Sequence, residues 1–99
     1  MRDPVGRYVM LYMDTLETHA ARWRARGIDA ESIRQAFGGI THRQADPYVG
    51  PDEDERTRWY APALGRRAWL RVVVAYRGER GNVVTGVTAG TLPADAERT

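Results

Sequence analysis

Hydrophobic and polar positions alternate along the chain in two different rhythms. The stretch "RYVMLYM" (7–13) is short, apolar and aromatic and reads as a strand. It runs into "DTLE", a loose capping box with Asp14 as N-cap and Glu17 three residues later. Leu16, Ala20 and Trp23 then recur at i, i+4 and i+7, the apolar stripe of a helix that Gly27 ends. A second helix is signalled by Asp29 as N-cap and by Ile28 and Ile33 as a hydrophobic staple. Gly38 and Gly39 close it, and its buried face would be Ile33, Ala36 and Phe37. After a long polar connection, "THRQADPYVGPDEDE" (41–55), the rhythm changes to period two. "RTRWYAPAL" (56–64), "AWLRVVVAYR" (68–77) and "NVVTGVTAG" (82–90) read as three strands of an antiparallel meander, with "RGERG" as a turn. Pro62 would place the first of them at an edge or a bulge. The reading is a single α+β domain over 1–99, with 1–6 and 92–99 as tails. Two short helices pack on a small antiparallel sheet, in the order β-α-α-β-β-β.

Alternation sorts the central strand into two faces. Leu70, Val72, Val74 and Tyr76 belong under the helices, while Trp69, Arg71, Val73, Ala75 and Arg77 turn the other way. The same sorting groups Arg58 with Tyr60, and Gly86 with Thr88. An aligned register would gather Arg58, Tyr60, Arg71 and Thr88 on the open face; a slip of one residue would scatter them. Arg71, mid-strand among apolar neighbours, requires either an acidic partner or an anion.

Charge sharpens this picture. The formal net charge is +2, and all 15 basic residues in the Lys+Arg count are arginines, whose planar fork suits phosphate oxygens. Between positions 56 and 80 stand seven arginines and one acid, Glu79, directly after the acidic run Asp52-Glu53-Asp54-Glu55. On the first helix, His19, Arg22 and Arg26 fall at i, i+3 and i+7, on the side away from Leu16, Ala20 and Trp23. The absence of cysteine excludes disulfides, Cys-based zinc sites and a Cys nucleophile. His42 and Asp46 lack further ligand spacing, so no metal is expected. No apolar run approaches the roughly 20 residues of a membrane span, and no apolar signal core follows the charged start. The expectation is a cytoplasmic protein without a membrane partner.

"HAARWRARGI", "DAESIRQAF", "RTRWY", "GRRAWLRVVVAY" and "NVVTGVTA" together resemble a small bacterial family of uncharacterised domains related to the BrnT-type toxins. These belong with the RelE-like ribonucleases of the barnase–EndoU–colicin–RelE fold group. The resemblance covers roughly 8–91, with His19, Arg22 and Arg26-Gly27-Ile28 as its most specific part. The last strand, "VTGVTAG", departs from the pattern by lacking an arginine. The resemblance implies two helices on an antiparallel sheet, metal-independent RNA cleavage and a cognate antitoxin. His19, Arg26 and Arg71 stand at the matching positions.

The chemistry expected of such a protein is modest. RNA brings its own nucleophile, the 2′-hydroxyl, so the protein must supply proton transfer and positive charge on the phosphate, with no cofactor. His19 is the candidate for the first role, with Tyr60 as a second proton donor. Arg71 and Arg58 are candidates for the second, with Arg22, Arg26 and Thr88 as further phosphate contacts. Trp69 or Trp59 would stack on a base. Two other classes fit the same residues: a non-catalytic nucleic-acid-binding domain, and a protein-interaction module whose arginine face meets an acidic segment.

Overall fold

The structure, a computed structural model, describes residues 1–11, 28–63 and 68–99. They form β1 (Val9–Met10), α1 (Ala30–Gly38), β2 (His42–Ala45), β3 (Glu55–Pro62), β4 (Trp69–Tyr76), β5 (Asn82–Gly90) and β6 (Glu97–Arg98). The six strands make one mixed sheet in the order β1-β5-β4-β3-β2-β6. Only the β1–β5 pair is parallel. The fold is α+β, as expected, but the sheet is mixed rather than antiparallel, because β1 joins β5 in parallel, and two features of the predicted order change. The described residues contain one helix, and the sheet gains β2 and β6. The other expected helix, with Leu16, Ala20 and Trp23, lies outside the described residues.

The second helix forms as its caps dictate. Asp29 is extended and its carboxylate accepts from the Ser32 N–H at 2.7 Å, so one of the free donors of the first turn is satisfied. Ile33 and Phe37, four apart, are buried, and Ile28 joins them in the core. They pack on the sheet face made by Trp59, Leu70, Val72, Val74, Tyr76, Val84 and Val87.

Three sequence expectations need correction. "HRQA" was expected within a loop, yet it pairs with β3 from His42↔Tyr60 to Ala45↔Thr57. Pro62 does not mark an edge, because β3 lies between β4 and β2. Tyr60 turns its carbonyl to the Thr41 N–H at 3.0 Å, so the N–H that Pro62 lacks would point to the same side, past the start of β2. The stretches expected as tails are held. Asp3 is 5% exposed and Arg2 bridges to Tyr8; at the other end, β6 pairs with β2.

A bulge in β5 completes the core. The register shifts between Val73, which faces Gly86, and Val74, which faces Val84, leaving Thr85 as the extra residue. Val84 and Val87, three apart, could not share a face in a regular strand. The bulge turns both inward, and the Thr85 hydroxyl donates to the Val73 carbonyl at 3.3 Å.

Candidate functional site

The pairings of β2, β3, β4 and β5 place His42, Tyr60, Arg71 and Thr88 directly opposite one another in a single row across four strands. Directly opposed residues in antiparallel strands project to the same side, and this row projects away from α1. The expected grouping of Tyr60, Arg71 and Thr88 is therefore met by the register, and Arg58 lies beside it, opposite Val73. Trp69 shares the face, two positions from Arg71 on β4. His42 is the member that sequence reading missed. The alternation of His42 and Gln44 with Arg43 and Ala45 was the available signal, hidden by the prolines that follow.

The sheet separates its charges. The two acids within the paired strands, Glu55 and Glu97, project to the α1 side, opposite Tyr76 and Arg43. On the far side the ladder carries Arg56, Arg58, Arg71 and Arg98 and no acid. Carboxylates from the β2–β3 connection neutralise two of these four. Asp46 accepts from Arg58 Nε at 3.0 Å, and Glu53 pairs with Arg56. Burial works against the charge on Asp46, but the Tyr48 N–H and the Arg58 guanidinium outweigh it and lower its pKa.

Arg71 is treated differently. It is half-buried, its Nε is buried without a hydrogen-bond partner, and no acid among the described residues pairs with it. Three acids of the Asp52–Glu55 run pair with other arginines: Asp52 with Arg80, Glu53 with Arg56, and Glu55 with Arg7. Arg77 also has a buried, unpartnered Nε, yet it stands close enough to Glu53 to help lower that carboxylate's pKa. An unmet buried donor costs about 1–3 kcal/mol, which makes Arg71 the place on this face where an anion would gain most.

The neighbours of Arg71 have defined roles. Tyr60, 2% exposed, donates its hydroxyl to Gln44 Oε1 at 3.0 Å, and Arg58 Nη1 donates to the same oxygen at 3.2 Å. Both expected site residues are thus already bonded, Tyr60 to an amide and Arg58 also to a carboxylate. Trp69 meets the edge of His42, with ring centroids 5.3 Å apart and planes at 88°. His42 Nδ1 lies 2.8 Å from Thr41 Oγ1. His19, Arg22 and Arg26 fall outside the described residues.

The opposite face offers space, and the cations of its strands are paired. A groove of about 600 Å³ runs along Arg7, Arg43, Glu55, Thr57, Trp59 and Glu97. Its cations are matched there, Arg7 by Asp3 and Glu55 and Arg43 by Glu97. Among the described residues no three His, Asp or Glu side chains gather as a metal site would require. None of the described helices is long and apolar enough to cross a membrane.

No protein-family model, curated protein or solved structure matches the chain. The class defined by the described residues is one of architecture: an α+β protein with a six-stranded mixed sheet, one helix on one face and an arginine-bearing row on the other.

Proposed function

We propose that the chain is a toxin-like, metal-independent endoribonuclease that cuts RNA through the substrate's own 2′-hydroxyl and is held in check by a cognate antitoxin. The observation that carries this reading is the position of Arg71. Its half-buried guanidinium stands without an acidic partner among the described residues, between the hydroxyl-bearing residues Tyr60 and Thr88, on a face whose paired strands contribute no acid. A planar cation with an unmet donor suits a phosphodiester oxygen and the additional charge that develops there in the transition state. Trp69 on the same face provides a surface for a base. His19, in the "HAARWRARGI" segment that resembles the toxin family, is the proton-transfer group this reading inherits from the sequence.

The test is direct. Incubated with single-stranded RNA in excess EDTA, the purified protein is expected to release 2′,3′-cyclic phosphate ends and to leave the matching DNA intact. Expression without an antitoxin is expected to arrest growth, and Arg71→Ala to relieve the arrest. RNA that is bound but never cut would instead establish a non-catalytic nucleic-acid-binding domain. That second reading draws on the engagement of Arg58 by Asp46, which leaves fewer groups free for chemistry.

A further inference from the structure

We infer that His42 is a catalytic residue of this site, the base that takes the proton of the attacking 2′-hydroxyl; the inference rests on the ribonuclease reading. The sequence offered His19 for that role and placed His42 on a loop. The register instead puts His42 at one end of the row that holds Arg71. Two steps of the ladder separate them, each about 4.8 Å, a span that an imidazole and an arginine can close on one phosphodiester. The contact between His42 and Trp69 demonstrates the reach. A side chain of β2 already meets one of β4 across the intervening strand, two positions from Arg71.

The ring is also prepared for the task. Its Nδ1 lies 2.8 Å from Thr41 Oγ1, and in the tautomer whose Nδ1–H donates to that oxygen Nε2 is the acceptor. Nε2 has no hydrogen-bond partner among the described residues. The T-shaped contact with Trp69 limits how the ring can turn. Orienting one ring nitrogen through a bond on the other is how a histidine is fitted to act as a base.

The step balances without a metal or a further cofactor. The 2′-oxygen–phosphorus bond forms as the phosphorus–5′-oxygen bond breaks, and the 2′-hydroxyl proton passes to His42 Nε2. The departing 5′-oxygen takes a proton from water, and the imidazolium returns its own to the hydroxide so formed. Arg71 holds the non-bridging phosphate oxygens throughout.

The experiment compares wild type, His42→Ala, His42→Gln and His19→Ala on a labelled single-stranded RNA in EDTA, with the 2′-deoxy oligonucleotide as binding probe. His42→Ala is expected to cut about 100-fold more slowly or worse, the range of a lost general base. Its binding of the deoxy probe should stay close to that of wild type. Free imidazole should restore cutting to His42→Ala but not to His42→Gln, whose side chain fills the vacated space; a merely structural histidine would not be rescued in this way. His42→Gln retains the bulk of the ring, so its inactivity with unchanged thermal unfolding separates chemistry from folding. Cleavage by His42→Ala at the wild-type rate overturns the inference and leaves the ribonuclease reading standing. Loss of cleavage without imidazole rescue also overturns it. A wild-type protein that cuts no RNA overturns both.

Discussion

The Tyr76 hydroxyl donates a 2.6 Å hydrogen bond to the carboxylate of Asp3, joining residues 73 positions apart in a buried contact. Trp59 Nε1 donates to the same hydroxyl at 2.9 Å, and Arg7 Nε donates to Asp3 Oδ2 at 2.8 Å. Arg7 also lies over the Tyr76 ring at 3.7 Å. This network fastens the first residues of the chain to the core strands. Tyr76→Phe leaves both Trp59 Nε1 and a carboxylate oxygen short of a partner, at an expected loss of about 1–3 kcal/mol. Urea denaturation of the two proteins measures it, and unchanged stability would mean that the network contributes nothing.

Acid should act through the same carboxylate. Burial alone would raise the pKa of Asp3, but hydrogen bonds from Tyr76 and from the backbone and side chain of Arg7 overcome it and lower the value below 3.8. A folded pKa below the unfolded one means that the stabilisation is fully present above about pH 4. It is lost as the pH falls through the lower folded value. Asp3→Asn should therefore be less stable than wild type at neutral pH, with the gap closing in strong acid. Thermal unfolding from pH 2 to pH 7 tests the sign.

Arg71→Met offers a separation of stability from binding. Methionine retains an apolar stem and removes the unmet Nε–H, so folding stability should hold or rise by up to about 1–3 kcal/mol. Binding of single-stranded RNA should fall sharply. A destabilised Met variant would indicate that Arg71 is paired in solution and would remove the main argument for an anion at this site.

Asp46→Asn should have the opposite functional effect. It releases Arg58 from its ion pair and removes one negative charge from the arginine-bearing side of the sheet. Binding of single-stranded RNA should tighten, and its log-log salt slope should steepen by about 0.7 for one added phosphate contact. Titrations at several salt concentrations read both changes. A slope identical to that of wild type would show that Arg58 never reaches the nucleic acid.

Local signals were legible wherever one short segment contains its own explanation. The Asp29 cap, the Ile33 and Phe37 stripe and the full extent of β5 are of this kind, because caps and alternation act over a few residues. The grouping of Tyr60, Arg71 and Thr88 was also legible, but only as a conditional statement about register. His42 was not. Its strand is four residues long and polar, and what makes it a strand is pairing with β3 on one side and β6 on the other.

The sequence by itself determined the strand periods, the capped helix and an arginine set into an apolar strand, since these follow from the residue types and their spacing. The tertiary structure decided which charges cancel. Asp46, Glu53 and Glu55 could each have met several arginines, and chain folding brought them to Arg58, Arg56 and Arg7. It also decided that His42 joins the Arg71 row and that Asp3 closes on Tyr76. Partners distant in sequence are chosen by register and chain path, which depend on every strand at once, and no single segment carries that information.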